Sequence, residues 1–208
     1  LQKLQAGSIS TLAAPEKNSY TFWNFGSFAR TDEVKIPETR DGYFLDGEGK
    51  RLQAQKTQDG YWVKISLDSL ATAVIHFEEA PWVDRAKNSP FVWKPEARKL
   101  QTPHYIAEWN ADGEFIRLFD RENEREVFPA GVCANVLEIY EDKPLNFDNW
   151  DVDLFHLLKH ENLTPEGSPE LISEGTLRLV LRFRYRYHHS HFEQDVIFHA
   201  DSRRIDFE

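Results

Sequence analysis

The chain has 208 residues, of which 40% are hydrophobic and 13% aromatic, with 15 Phe and 6 Trp; that is enough apolar side chain for one good core or two modest ones, and too much for a disordered chain. Its 35 acidic residues outnumber 25 basic ones, and the formal net charge of -10 is spread along the chain, which argues against a phosphate-backbone partner, so no nucleic acid is expected. No apolar run approaches the ~18 residues of a membrane span, the first residues lack the layout of a signal peptide, and a single cysteine, Cys133, makes no internal bridge; no membrane partner and a cytoplasmic location are the expectation.

The chain opens on Leu1 and contains no Met, so it is expected to be a piece of a longer protein. Leu1 and Leu4 at helical spacing, with Gly7 where a C-cap would sit, read as the last turn of a helix. From Tyr20 the pattern changes to short aromatic and β-branched runs punctuated by Asp-Gly pairs at 41–42, 59–60 and 112–113, which are strand and hairpin signals. Val34 and Ile36, Tyr43 to Leu45, Tyr61 to Ile65 and Ala73 to Phe77 are expected to be strands of a small first sheet. Prolines at 81, 90, 95 and 103, with no sustained period between them, mark residues 81–103 as a linker. Beyond it, Tyr105 to Trp109, the turn Asn110-Ala111-Asp112-Gly113 and Phe115 to Phe119 form a hairpin by alternation.

Cys133 lies in an apolar run and is expected to be a buried small hydrophobe. Val136 to Tyr140 reads as a strand that Pro144 ends, leading into the Asn/Asp-rich stretch 145–153. Two readings of that stretch stay open. In one, Trp150 is presented among carboxylates as a sugar-holding face, the ring stacking on C–H groups while acids and amides take the hydroxyls; Asp148, Trp150 and Asp151 are then the candidate substrate contacts. In the other it is a turn with Asx caps around a core Trp. Asp148, Asp151 and Asp153 lack the glycine and distal glutamate of a calcium loop. His156 and His160 stand at zinc-helix spacing, but Leu157 occupies the place of the general base, and the trio His188, His189 and His191 falls in a turn; all five read as solvated or packing side chains. No catalytic residue and no metal ligand is assigned to this chain.

The cleanest period runs through Leu177, Leu179, Leu181, Phe183, Tyr185 and Tyr187 against Arg178, Arg182, Arg184 and Arg186. That alternation is a long strand with one face in a core, and Glu193 and Asp195 on the next strand are placed to pair with the arginines. His188-His189-Ser190 makes the turn, Phe192 to Phe198 returns, and a further strand begins near Arg204.

Three stretches together resemble the β-rich region of family 38 α-mannosidases. They are Phe25-Gly26-Ser27-Phe28-Ala29-Arg30-Thr31-Asp32-Glu33-Val34, the hairpin Gly113 to Asp120 with Arg125-Glu126-Val127, and the most specific, Tyr140-Glu141-Asp142-Lys143-Pro144-Leu145-Asn146-Phe147-Asp148-Asn149-Trp150-Asp151-Val152-Asp153. The resemblance covers nearly the whole chain. It implies a retaining, metal-dependent hydrolase of terminal non-reducing α-mannose, whose zinc or other divalent metal and nucleophile belong to an N-terminal catalytic domain outside this chain. The partners it implies are a mannose-containing oligosaccharide and the parent's own N-terminal catalytic domain, the parent being a candidate homo-oligomer. The fold expected is mainly β, an antiparallel β-sandwich of the galactose-mutarotase-like supersandwich type preceded by a small β subdomain. Residues 1–19 would be a bundle end and linker, 20–80 the small subdomain, 81–103 the linker, and 104–208 the first part of the large sandwich. Two alternatives compete with a non-catalytic mannosidase portion. One is a stand-alone carbohydrate-binding sandwich; the other is a mutarotase-like epimerase using His76, His104 or His199 with a carboxylate.

Overall fold

A computed structural model describes residues 17–83, 88–147 and 150–208, and the chain divides into two compact units at the Asn88–Ser89 bond. The helical end read at Leu1, Leu4 and Gly7 lies outside the described residues. Among those described there are strands and short 3-10 turns but no α-helix.

The first unit is a small antiparallel sandwich. Strands β1 (Ser19–Trp23), β2 (Arg30–Ile36), β3 (Gly42–Leu45), β4 (Ala54–Thr57), β5 (Gly60–Leu67) and β6 (Thr72–Glu79) form two sheets, ordered β1-β6-β3 and β2-β5-β4. Period-2 alternation turns Phe44, Ile75 and Phe77 of one sheet, and Ile36, Tyr61, Val63 and Ile65 of the other, into a shared core. Each such side chain contributes roughly 1.5–3 kcal/mol when fully buried. Only one of this unit's two Asp-Gly pairs sits at a hairpin between paired strands: Asp59-Gly60 joins β4 to β5. Asp41-Gly42 does not, because β2 and β3 belong to different sheets. Gly42 answers a packing need instead, since a Cβ there would lie 2.3 Å from the Glu78 carbonyl oxygen.

The second unit begins inside the stretch read as a linker. β7 (Val92–Lys94) and β8 (Lys99–Gln101) flank a 3-10 turn at Pro95–Ala97. They continue through β9 (Tyr105–Trp109), β10 (Phe115–Asp120) and β11 (Arg125–Glu126) as a five-stranded meander ordered β11-β10-β9-β8-β7. The linker expectation for 81–103 is corrected over these residues. Three-residue strands are too short to show a period, and Pro95 serves the first position of the turn rather than breaking structure. Cys133 is likewise exposed rather than buried, because its apolar neighbours lie in a loop, with only Ala134 bridging to Phe115.

β12 (Glu138–Tyr140) pairs with β13 (His160–Asn162), and β14 (Glu170–Glu174), β15 (Arg178–Tyr187), β16 (Ser190–His199) and β17 (Ile205–Phe207) form a four-stranded antiparallel sheet. Leu179, Leu181, Phe183 and Tyr185 of β15, with Val196 and Phe198 of β16, pack on Leu100, Ala107, Trp109 and Phe115 of the meander. This is the core of an antiparallel β-sandwich. On the other face of the sheet the arginines meet acids in register: Arg182 lies opposite Asp195 and Arg184 opposite Glu193. His188 and His189 make the two-residue turn, His188 with φ 51°.

Candidate functional site

The Asn/Asp-rich stretch leaves the second unit between β12 and β13 and returns to it. Three backbone and side-chain bonds close its base. The Glu141 N–H donates to the Lys159 carbonyl at 3.0 Å, and the Lys159 ammonium reaches the Glu141 carboxylate at 2.6 Å while Lys143 meets it at 3.0 Å. Those two cations hold the Glu141 carboxyl below its ordinary range, Lys159 first. Further out, the Leu145 N–H donates to Asp153 Oδ2 at 2.8 Å, so Asp153 caps the loop rather than facing a ligand. The Trp150 and Asp151 N–H groups both donate to the Phe147 carbonyl, at 2.8 and 3.2 Å, about a turn in which Phe147 takes φ 61°.

This turn sets Trp150 out in solvent, 92% exposed, with Asp151 exposed beside it. The core-Trp reading is therefore excluded. Asp148, the third candidate contact, lies outside the described residues. Trp150 does not stand alone: Leu145, Phe147, Val152, Leu154, Phe155, Leu157 and Leu158 are exposed as well, Leu158 at 85%. Such a concentration of bare apolar side chain is the mark of an interaction surface. Sequence reading missed its extent because the run has neither strand nor helix period; the signal available was an apolar density with no face to bury it.

The histidines read as solvated or packing side chains divide between those two roles. His156 and His160 flank the Tyr140 ring, each with a ring-centre distance of 5.2 Å, and His156 Nδ1 lies 2.8 Å from the Asp153 carbonyl oxygen. The Tyr140 hydroxyl donates to Glu138, which raises its pKa. His188, His189 and His191 are exposed on the hairpin. Among the described residues no group of three His, Cys, Asp or Glu side chains is placed to hold a metal ion. The zinc that the resemblance implies is expected in the catalytic domain outside this chain.

The epimerase candidates are equally accounted for. His76 Nδ1 pairs with the Ser19 hydroxyl at 2.9 Å and His104 Nε2 with the Ala200 carbonyl at 3.0 Å. His199, 3% exposed, meets Asp206 Oδ2 at 2.9 Å. Among the described residues only His199 of these three has a carboxylate partner, and its own side chain is buried, while Asp206 is also held by the exposed Arg204.

Comparison with known proteins follows the same lines. Residues 100–208 match the family described as glycosyl hydrolases family 38 C-terminal domain. The chain is 32% identical over 104 residues to alpha-mannosidase G of Dictyostelium discoideum, an overlap that takes in 47% of this chain and 10% of that protein. Its fold is similar to that of an alpha-mannosidase from Enterococcus faecalis, with a TM-score of 0.53 at 8% identity over 98% of this chain and 31% of the other. The chain thus spans about a tenth of the curated relative and about a third of the solved one.

Proposed function

The chain belongs to glycosyl hydrolase family 38, and on that premise we propose that it is a non-catalytic portion of an α-mannosidase, docked through the exposed apolar side chains of residues 145–147 and 150–158 onto the parent's catalytic domain. The observation that carries this reading is the apolar surface centred on Trp150, with its ring 92% exposed. Bare aromatic and leucine side chains at this density are rare on a free surface and mark one that a partner covers. The short span relative to the curated mannosidase leaves room for such a partner in the same polypeptide.

On this reading the parent hydrolyses terminal non-reducing α-mannose from oligosaccharides with retention of configuration, by way of two carboxyl groups. Those groups and the divalent metal belong to the catalytic domain. On the same reading Trp150 and Asp151 contribute sugar contacts where the docked surface meets the catalytic domain's pocket, the ring by stacking and the acid by accepting hydroxyls. The exposed free thiol of Cys133 fits a reducing, cytoplasmic setting.

Amide hydrogen exchange across 145–158, compared between the 208-residue chain and the full-length parent, tests the docking. Slower exchange in the parent supports it, and equal exchange in the two contradicts it.

A further inference from the structure

Separate stretches of the second unit meet around a cleft of about 180 Å3, lined by Arg98, Asn110, Gly113, Pro165, Ser168 and Phe183 among others. Arg98 ends the 3-10 turn at Pro95–Ala97 in left-handed backbone, φ 45° and ψ 46°. Its N–H donates to the Pro95 carbonyl at 3.1 Å, and its carbonyl accepts the Trp109 N–H at 3.0 Å. The guanidinium-bearing side chain is therefore fixed at its root, and Arg98 lines the cleft.

That guanidinium is distinctive within its unit. Arg117, Arg182, Arg184, Arg203 and Arg204 all pair with carboxylates, and Arg121 is bound to the Thr102 carbonyl. Arg98 makes no side-chain hydrogen bond or ion pair among the described residues, nor does the Ser168 hydroxyl. In a chain with 35 acidic residues against 25 basic ones, an arginine beside a cleft without a carboxylate stands out. The nearby Glu114 is held instead by the Asn110 amide at 2.8 Å.

The opposite wall is kept open by Gly113, at φ 76°; a Cβ there would lie 3.1 Å from Pro165, 3.2 Å from the Phe183 ring and 3.3 Å from the Tyr185 hydroxyl. The cleft is smaller than the roughly 300 Å3 of a drug-sized site, which limits its occupant to a group of about one sugar or less. An arginine and a serine lining one cleft supply the donors for a planar or tetrahedral oxyanion, which an arginine fork grips bidentately. We propose that this cleft binds a small oxyanion, a carboxylate or a phosphate, through Arg98 and Ser168. The site is independent of the docking surface and of the mannosidase reading.

The test is a nitrogen-15 NMR titration of the 208-residue chain with inorganic phosphate, acetate and a hexose 6-phosphate. Saturable shifts at the Arg98 Nε–H and at the Gly113 and Ser168 amides are expected. Affinity should fall about tenfold in Arg98→Gln and recover in part in Arg98→Lys, which restores the charge without the fork. Tighter binding of the hexose phosphate than of inorganic phosphate would assign a sugar-borne anion; equal binding would assign the oxyanion alone, and either supports the site. No saturable shift with any probe, or shifts that Arg98→Gln leaves intact, overturns it. Spectral dispersion reports folding of each variant, and Ser168→Ala, in an exposed loop, carries the same test if Arg98→Gln fails to fold.

Discussion

Arg182 and Asp195 face each other across β15 and β16, with Arg182 Nε 2.6 Å and Nη2 2.8 Å from the two carboxylate oxygens. The fork also places Arg182 Nη1 2.9 Å from Glu193, which Arg184 shares, so the outer face of the sheet carries a charge ladder rather than isolated pairs. Bidentate geometry and partial burial lift this pair above an ordinary surface ion pair. A double-mutant cycle with Arg182→Gln and Asp195→Asn, read by urea denaturation, should give a coupling of about 1–2 kcal/mol. The same cycle on the exposed pair Arg30 and Asp32, 3.1 Å apart, should give below about 0.5 kcal/mol.

Stability should also fall in acid through Glu38. Its buried carboxylate accepts the Arg40 Nη2, Nε and backbone N–H at 2.6, 2.9 and 2.9 Å, and these bonds from Arg40 hold its pKa at about 2, against 4.5 when unpaired. The folded state then binds fewer protons than the unfolded one between those values. The contribution is full above the unfolded pKa and is lost as pH falls toward the folded one. Urea midpoints should decline from about pH 5 downward, on the order of 1–3 kcal/mol in all, and Glu38→Gln should flatten that part of the profile.

Two glycines of the first unit separate crowding from backbone strain. At Gly42 a Cβ would lie 2.3 Å from the Glu78 carbonyl and 2.3 Å from the Phe77 ring, whereas at Gly49 nothing lies within 4 Å and only φ 80° opposes a side chain. Gly42→Ala should cost about 3 kcal/mol or more, by forcing β3 off β6. Gly49→Ala should cost about 1 kcal/mol. Thermal or urea unfolding of both variants decides between them.

Trp150→Ala and Leu158→Ser remove side chains that are 92% and 85% exposed. In the 208-residue chain each should change stability by less than about 0.5 kcal/mol. In the full-length parent, where the surface is covered, each should cost about 1–3 kcal/mol and lower mannosidase activity. Equal effects in the two settings would contradict docking through this surface.

The parts of the fold written as period-2 alternation were legible. The strand from Arg178 to Tyr187 buries Leu179, Leu181, Phe183 and Tyr185 and pairs Arg182 and Arg184 with Asp195 and Glu193 as their spacing implies, because one face in a core imposes that pattern. β7 and β8 were not legible: three residues hold no period, and the prolines around them read as a linker. Cys133 misled because an apolar neighbourhood in sequence is not a buried one when it lies in a loop. Asp41-Gly42 misled because a turn signal does not say which strand pairs next. At the candidate site the sequence located Trp150 but left its burial open, and the turn at Phe147, which decides it, is not encoded by glycine. The Arg98 cleft was invisible for another reason. Its walls come from stretches far apart in the chain that only the packing of the five-stranded meander on the four-stranded sheet of the second unit brings together.

The most direct measurement is release of a chromogenic aglycone from an α-mannoside by the full-length parent and by the 208-residue chain, each with and without added zinc. A non-catalytic portion of a family 38 enzyme predicts metal-dependent release by the parent and none by the chain. Release by the chain alone, or none by the parent, would contradict it.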